Sequence, residues 1–278
     1  MKAVLLAAAS VGLAAMFPAS YLQDLTRWRA EHEAQLRAAD GWLTVTGLFW
    51  LHEGSNVVGS DPLSDVVLPE GFPKRAGTLR MKASEVIFDP TAGKPVRMKA
   101  ESPGSADAVQ IGRLSMSIIR RVGRTAVRLR DPETSARREF TGCRWFPANN
   151  NWRVQAKWVP YPAPKTMRIV NVLGMTLNEA SPGYAEFSLQ GRSLRLEPIL
   201  EGDQLFFLLK DFTSGKSTYA AGRYLYAAMP VAGTVLLDFN KTENPPCAFT
   251  AFATCPLPPA HNFMPVALEA GEMKYGKH

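Results

Sequence analysis

Residues 152–158, WRVQAKW, determine the fold class. Apolar and polar side chains alternate strictly along this stretch. The apolar positions are Trp152, Val154, Ala156 and Trp158. A period of two is typical of a β-strand with one buried face. The same kind of pattern recurs on both sides of it, in short apolar runs bounded by turn-forming residues.

Two hairpins and a fully buried strand extend this pattern in both directions. The hairpin strands are predicted at 115–121 with 124–130 and at 184–189 with 193–196. Residues 205–209 are continuously apolar, as in a strand that is buried on both faces. Two more strands are predicted at 218–227 and 234–239. Strands do not alternate with long helices, so the sequence predicts a mainly β fold, an antiparallel β-sandwich or open barrel.

One amphipathic helix is predicted at the N-terminal end, over residues 21–40. Its apolar residues recur at helical spacing, and Trp28 is expected to pack against the domain that follows. The β-domain is expected over residues 41–275. The proline-rich stretch at 160–165 either divides this domain into two subdomains or lies within one continuous core.

Residues 1–20 have the pattern of a secretory signal peptide. Lys2 forms a short basic region, residues 3–17 are uncharged and largely apolar, and small residues follow. The apolar stretch is shorter than the roughly 20 residues of a membrane span, and no later segment approaches that length. We therefore expect an exported protein, periplasmic or secreted, without a transmembrane segment after the signal peptide. The alternative is a short N-terminal anchor that is not cleaved.

The net charge of +7 is modest for 278 residues, and the charges are spread along the chain. No nucleic-acid partner is expected. The densest basic residues include Arg124, Arg128 and Arg130, which alternation places on one face of a strand. That face is interpreted as solvated, with a patch for phosphate, nucleic acid or an anionic polymer as the alternative. The chain carries no motif for a nucleotide, and no cofactor is predicted.

Residues 238–272 are unlike the rest of the chain. They read DFNKTENPPCAFTAFATCPLPPAHNFMPVALEAGE, with prolines throughout. The prolines prevent regular structure, but Phe249, Phe252 and Leu257 are too apolar for a free linker. Long irregular segments in compact domains are usually functional or disordered. We predict an ordered segment, called here the tail, that packs over the sheet and holds polar groups in fixed places.

The chain has three cysteines, Cys143, Cys247 and Cys255. In an exported protein, Cys247 and Cys255 are expected to form a disulfide bond, which leaves Cys143 as a free thiol. Two alternatives stay open. Cys247, Cys255 and His261 could bind a metal, although their spacing fits no standard zinc motif, and no metal site is predicted. A cysteine could also act as a nucleophile with His261 as its partner.

A second group of polar residues lies at 211–223. Tyr219 and Arg223 are four residues apart and are expected on one face of the strand predicted at 218–227. In a structural interpretation, Asp211 caps the turn and Arg223 forms an ion pair. In a functional one, Tyr219 and Arg223 line a pocket, since Arg binds carboxylate or phosphate through its two-pronged fork. The tail would contribute Asp238, Asn240 and Asn244.

These residues lead to two functional hypotheses. The first is the binding of a small or polymeric anionic ligand between the 211–223 turn and the tail. The residues assigned to binding are Tyr219, Arg223, Asn240 and Asn244. The alternative is a hydrolase that draws an acid–base pair from three carboxylates. These are Asp211, Asp238 and Glu272.

Several short strings along the chain are distinctive. In the N-terminal half they are WR at 28–29, GWL at 41–43, GLFWL at 47–51 and GSNVVGSD at 54–61. In the C-terminal half they are DFTSG at 211–215, TY at 218–219, GR at 222–223, DFN at 238–240, NPPCA at 244–248, ATCPLP at 253–258 and AGE at 270–272. In these strings the chain resembles an uncharacterised bacterial and archaeal family, domain of unknown function 1684. The resemblance implies no known activity. It implies that the tail and the 211–223 turn are features of the family.

Overall fold

The computed structural model describes residues 19–101 and 107–276. The helices are α1 (Ala19–Arg37) and α2 (Ser135–Arg138). The strands of the first half are β1 (Val45–Trp50), β2 (Gly54–Gly59), β3 (Val66–Val67), β4 (Gly77–Lys82), β5 (Glu85–Pro90), β6 (Val96–Met98), β7 (Ala108–Ile111), β8 (Leu114–Arg121) and β9 (Arg124–Arg130). Those of the second half are β10 (Arg153–Val170), β11 (Thr176–Leu189), β12 (Arg192–Leu196), β13 (Ile199–Glu201), β14 (Gln204–Asp211), β15 (Arg223–Ala228), β16 (Thr234–Asp238) and β17 (Phe263–Met264).

Within the described residues, these strands form four open sheets. The strand orders are β3-β2-β4-β5-β6, β1-β9-β8-β7, β12-β11-β10-β16 and β13-β14-β15, with β17 added to β14. Neighbouring strands are antiparallel except for the pairs β2 with β3 and β14 with β17. The predicted mainly β, antiparallel fold is confirmed, and its sheets are open rather than closed into a barrel.

Both predicted hairpins are present. The turn between β8 and β9 is Val122-Gly123, with φ angles of 50° and 74°. The turn between β11 and β12 is Gln190-Gly191, with φ angles of 51° and 71°. Positive φ at both central residues is the two-residue turn whose twist matches that of paired strands. Leu205–Leu209 within β14 is buried throughout, as its apolar run predicts.

Two large apolar clusters fill the space between the sheets. One is built from residues between 58 and 129, and the other from residues between 156 and 270. The stretch at 160–165 lies inside β10, where the pairing with β11 shifts its register between Pro160 and Lys165. The division of the β-domain into two subdomains stays a prediction.

Helix α1 lies where the sequence predicts a helix. Leu25 and Leu36 are buried, and the ring of Trp28 meets that of Trp145 edge-on with centroids 5.6 Å apart. Residues 1–18 lie outside the described residues, so the signal peptide stays a prediction. Among the residues that are described, no helix is long and apolar enough to cross a membrane.

The tail is ordered and packed, as predicted, although little of it is regular structure. Phe249, Leu268 and Ala270 are buried within it. Gly271 has a φ of 70°, and a Cβ at this position would overlap both Thr242 and the carbonyl of Phe239. The chain can therefore pass this point only with glycine.

The basic face of β9 is not the solvated surface that we expected. Arg128 is buried, and its guanidinium lies 2.6 Å from the carboxylate of Glu101. Arg130 lies 2.9 Å from the same carboxylate, and Ser117 donates a hydrogen bond to it. Arg124 packs over the ring of Trp50. Arg128 and Arg130 are thus committed to an internal ion-pair network.

Candidate functional site

Arg223 is completely buried, with 0% of its surface exposed. Its Nη2 donates to Asp211 Oδ2 at 3.1 Å and to the carbonyl of Leu268 at 2.9 Å. Its Nη1 donates to the carbonyls of Ala270 and Glu272. The tail packs against the guanidinium and covers it entirely. Because solvent does not reach Arg223, its predicted contact with a ligand is corrected to a structural role, as the ion-pair interpretation expects.

Asp211, the ion-pair partner of Arg223, has hydrogen-bond donors at both of its carboxylate oxygens. Its Oδ1 accepts hydrogen bonds from the hydroxyl of Thr213 at 2.6 Å and from the backbone N–H groups of Thr213 and Leu268 at 2.8 and 3.1 Å. Its Oδ2 accepts the bond from Arg223. A carboxylate held in this way by an ion pair and three further donors is poorly suited to acid–base chemistry with a substrate.

The strand after this turn begins later than predicted, at Arg223 rather than at Thr218. The backbone N–H groups of three successive residues, Lys216 to Thr218, all donate to the carbonyl of Thr213 and close a compact turn. Tyr219 consequently lies in a loop, where its hydroxyl donates to the carbonyl of Cys247 at 3.1 Å. It does not share a strand face with Arg223.

Asp238 and Asn240 anchor helix α1 to the tail. The hydroxyl of Tyr21 donates to both carboxylate oxygens of Asp238, at 3.0 and 2.9 Å, and Arg153 Nε lies 3.4 Å away. Asn240 exchanges two hydrogen bonds with the backbone of Asn149, at 3.0 and 3.1 Å. Burial, reinforced by Asp238, raises the pKa of Tyr21. These contacts explain the positions of both predicted site residues without a ligand.

Glu272 is the predicted acid that meets other reactive side chains. Residues 144–146 pair with residues 271–273 in a short antiparallel ladder. The ladder brings Cys143 close to Glu272, and His32 of α1 completes the group. Donor atoms of His32, Cys143 and Glu272 all lie within 4.8 Å of one another. We call these three residues the His–Cys–Glu cluster.

His32 lies between two carboxylates. Its Nδ1 is 3.3 Å from Glu243 Oε2, and its Nε2 is 3.4 Å from Glu272 Oε2. The ring stacks on Trp28 and meets Trp145 edge-on, with centroids 5.8 and 5.7 Å apart. Burial is the largest influence and lowers the pKa of His32, but the two carboxylates outweigh it and raise the pKa to about 10.

Several buried atoms around the cluster have no hydrogen-bond partner. They include His32 Nε2, Glu272 Oε1 and Asn244 Oδ1. The backbone N–H of Asn244 donates to Glu272 Oε2, and its side-chain Nδ2 donates to the carbonyl of Met273, both at 2.8 Å. Asn244, predicted as a binding residue, thus lies directly beside the cluster.

Cys143 is a free thiol, as expected, and it is half-buried. Burial raises its pKa, and the negative charge of Glu272 adds to this effect. Its backbone N–H donates to Glu33 Oε1 of α1 at 3.1 Å, which fixes the segment against the helix. Because the thiolate is the reactive form, a raised pKa argues against a cysteine nucleophile here.

Cys247 and Cys255 lie at disulfide distance, with Cα atoms 6.2 Å apart, as the predicted bridge requires. His261 lies elsewhere, with its Nε2 3.4 Å from Glu197 Oε2. Among residues 19–101 and 107–276, the metal-ligating residues that converge are those of the His–Cys–Glu cluster. The alternative trio of Cys247, Cys255 and His261 is therefore not assembled.

A cavity of about 510 Å³ lies next to the tail, between it and the strands β11, β13, β14 and β15. Its apolar lining comprises Trp42, Ile169, Leu177, Ile199, Leu200, Phe206, Tyr224, Tyr226, Pro246 and Pro256. The ring of Phe206 stacks in parallel on Tyr226 with centroids 4.6 Å apart and meets Tyr224 edge-on at 4.8 Å. The walls are thus mainly aromatic and aliphatic.

The polar groups of this cavity are mostly acidic. Glu179, Glu201 and Glu243 line it together with one cation, Arg121. Burial and then the charge of Glu201 raise the pKa of Glu179, so these two carboxylates repel one another. The hydroxyl of Tyr226 donates to Glu201 Oε2 at 3.3 Å.

A smaller cavity of about 290 Å³ shares Trp42, Glu243 and Pro246 with the larger one. It is also lined by His32 and Asn244. The smaller cavity therefore borders the His–Cys–Glu cluster at the imidazole of His32.

His32 and Cys143 were not predicted as site residues. One local signal was available, because His32 follows Trp28 by four residues and so lies on the same, inward face of the helix. No comparable signal marks Cys143, whose position depends on the ladder between residues 144–146 and 271–273.

Together these features define a mainly β protein with an N-terminal helix and a packed tail that encloses a buried cluster of histidine, thiol and carboxylate. Residues 138–273 match the family described as protein of unknown function (DUF1684), which confirms the resemblance over these residues. The N-terminal strings that resemble the family lie outside the matched range.

A solved structure is also similar to the chain. It is the solution NMR structure of an uncharacterized protein of Haloarcula marismortui, which is 28% identical with a TM-score of 0.44. The similarity covers 53% of this chain and 85% of that one. A comparison with curated proteins gave no match.

Proposed function

We propose that the protein binds a small organic cation with an apolar body in the 510 Å³ cavity. The observation that carries the proposal is the pair Glu179 and Glu201 at the wall of an aromatic cavity. Their mutual repulsion contributes to the raised pKa of Glu179. A bound cation would relieve this repulsion and favour the ionised form of both side chains.

The size and the walls of the cavity suit such a ligand. Small-molecule sites typically enclose about 300–1,000 Å³ and combine apolar walls with a few polar groups. Tyr224, Tyr226 and Phe206 place aromatic rings in the lining, and aromatic rings attract organic cations and in particular quaternary ammonium groups. The stacked pair of Phe206 and Tyr226 holds these rings in fixed positions.

The charges favour a cation over the anion that we predicted from the sequence. Arg121 is the cation of the lining, and its Nε and Nη1 already donate to Thr254 Oγ1 at 3.1 Å and to the carbonyl of Arg120 at 2.7 Å. The two carboxylates of Glu179 and Glu201 therefore give this part of the lining more negative than positive charge. The hydrolase hypothesis gains no support, because Asp211 and Asp238 are each engaged in structural contacts.

Titration calorimetry with benzyltrimethylammonium chloride tests the proposal, with benzyl alcohol and sodium benzoate as neutral and anionic comparisons. We expect saturable binding of the ammonium probe, weaker binding of the alcohol and none of benzoate. Glu179→Gln should weaken ammonium binding about tenfold, or about 1.4 kcal/mol. Glu186→Gln is the matched control, because Glu186 lies on the same strand β11 but pairs with Lys157 at the surface.

Two results would overturn the cation proposal. One is the absence of saturable ammonium binding to the unmodified protein. The other is preferential binding of benzoate that strengthens in Glu179→Gln, since that would show an anion site. Equal losses in Glu179→Gln and Glu186→Gln would likewise place the effect outside the cavity.

We also propose that the protein acts outside the cytoplasm. The N-terminal pattern of residues 1–20 and the disulfide distance between Cys247 and Cys255 support this location. Expression of the full chain in a bacterium and mass measurement of the product in the periplasmic fraction test it. The mass should correspond to a chain that begins near Ser20 or Tyr21. A full-length product that stays in the cytoplasm would contradict export.

A further inference from the structure

We propose that His32, Cys143 and Glu272 bind a divalent transition-metal ion of the zinc class. One donor atom from each side chain lies within 4.8 Å of the other two. Imidazole nitrogen, thiolate sulfur and carboxylate oxygen are the three ligand types of zinc sites in proteins. Small shifts of these side chains would bring all three donors to bonding distance of one ion.

Two of the donor atoms are buried and lack a well-formed hydrogen bond. Glu272 is completely buried, yet its Oε1 has no hydrogen-bond partner. His32 Nε2 is buried without a hydrogen-bond partner as well, and the nearest carboxylate oxygen, Glu272 Oε2, lies 3.4 Å away. Buried polar atoms are nearly always hydrogen-bonded in native proteins, and exceptions need an explanation. A metal ion between His32 and Glu272 would satisfy both atoms at once.

The surrounding residues orient the three ligands as a metal site requires. His32 Nδ1 lies 3.3 Å from Glu243 Oε2, so the ring is held by a carboxylate while its Nε2 points to the cluster. A carboxylate behind a histidine ligand is the usual outer contact of zinc sites. The backbone N–H of Asn244 fixes Glu272, and Glu33 fixes the backbone of Cys143.

The donor set also selects the kind of metal. Mg²⁺ and Ca²⁺ prefer sites made of oxygen ligands, whereas a thiol with an imidazole suits zinc and its neighbours in the transition series. Three protein ligands leave one position open, as in catalytic zinc sites. The cavity of about 290 Å³ that is lined by His32 and Asn244 lies beside this cluster.

This inference does not rest on the proposed cation site. The metal ligands lie outside the residues that line the 510 Å³ cavity. Ammonium binding with no metal binding would leave the first proposal standing alone. Metal binding with no ammonium binding would leave the metal proposal standing alone.

The experiment uses the full chain, stripped with chelator and dialysed. Zn²⁺ is titrated in competition with a chromophoric chelator, and Co²⁺ is used as a spectroscopic probe. We expect one Zn²⁺ per chain and, with Co²⁺, a thiolate-to-metal charge-transfer band together with the strong visible bands of a four-coordinate site. Cys143→Ser should abolish the charge-transfer band and weaken Zn²⁺ binding at least 100-fold. Glu243→Gln should weaken binding about 10–100-fold.

His261→Ala is the matched control, because His261 is a histidine of the surface that pairs with Glu197. It should bind Zn²⁺ like the unmodified protein. Circular dichroism of Cys143→Ser checks that the fold is retained, and Glu272→Gln serves as a second variant if it is not. The proposal is wrong if Zn²⁺ fails to bind stoichiometrically, or if Co²⁺ binds without a charge-transfer band. It is equally wrong if Cys143→Ser and Glu272→Gln bind Zn²⁺ as tightly as His261→Ala.

Discussion

Two of the buried groups of charged residues in the described part of the chain are built differently. Around Arg223 and Asp211, both carboxylate oxygens and both terminal guanidinium nitrogens have partners, and Arg223 Nε is the atom left without one. In the His–Cys–Glu cluster, atoms of two different side chains are open and lie close together. In the first group the carboxylate and the guanidinium are paired with each other, whereas in the second the unpartnered atoms of two side chains leave room for an ion.

Whether the polar atoms of a buried group have partners distinguishes a structural group from a functional one better than the types of its residues do. Both groups contain a cation and an acid, and both are closed by the tail. Buried ion pairs with satisfied hydrogen bonds stabilise a particular packing, and breaking one leaves an uncompensated charge. Open donors that converge are instead suited to an ion or a ligand. Removal of a residue should therefore cost stability in the first group and binding in the second.

The largest effect on stability is expected from Arg223→Met. It leaves Asp211 buried without its cation, and the free energy of unfolding should fall by about 3–5 kcal/mol. Urea unfolding followed by circular dichroism measures this change. Cys143→Ala in the His–Cys–Glu cluster should cost roughly 1 kcal/mol or less in the same assay.

A double variant checks the cause of that loss. Adding Asp211→Asn to Arg223→Met removes the unpaired charge and should recover part of the lost stability. If Arg223→Met and Cys143→Ala proved equally destabilising, the contrast between a structural group and an open one would not hold.

The features of the fold that follow from local sequence could be predicted. The alternation at 152–158, the turn residues Val122-Gly123 and the apolar run 205–209 each determine structure within a few neighbouring residues. The ion pair of Arg223 and Asp211 was foreseen as the structural interpretation. Its complete burial was not, because it depends on how the tail folds back over β14 and β15.

The His–Cys–Glu cluster could not be predicted from any pattern in the sequence. Its members come from α1, from the segment before β10 and from the end of the tail. They meet because residues 144–146 pair with 271–273, a contact of a few hydrogen bonds without regular strands. Gly271 makes this approach feasible, but its conformation is visible only in the structure.

The three cysteines allow a second test, in which the expected change in stability is smaller than that for Arg223→Met. We expect Cys247 and Cys255 to be bridged in the oxidised protein, so that thiol titration under native conditions finds one free thiol, Cys143. Burial raises the pKa of that thiol, so it should react slowly. The double variant Cys247→Ser and Cys255→Ser should lose roughly 2–3 kcal/mol of stability, which is typical of a short disulfide loop. Three thiols that react rapidly without reduction would contradict the assignment.

The smallest effect is expected from a third charged group, in which Glu101 meets Arg128 and Arg130. It resembles the Arg223 group in that its carboxylate and its guanidinium groups form ion pairs within the chain, but Glu101 keeps some contact with solvent, which weakens its interactions. Burial alone would raise the pKa of Glu101, but the hydrogen bond from Ser117 and the two guanidinium groups outweigh it and lower the pKa below its ordinary value of 4.5. The stabilisation is therefore fully present above about pH 4.5 and is lost as the pH falls through the lower value of the folded state.

Glu101→Gln should accordingly lower stability at pH 7 and make it less dependent on pH in the acid range. Urea midpoints between neutral pH and about pH 3 measure both effects, since this range brackets the pKa of an ordinary carboxyl group. Glu85→Gln is the control, because Glu85 forms an exposed pair with Arg97 on a neighbouring sheet. If Glu101→Gln kept the full acid sensitivity of the unmodified protein, the pairing on β9 would contribute nothing to stability. Ion pairing within the chain would then not be enough to mark a charged group as structural.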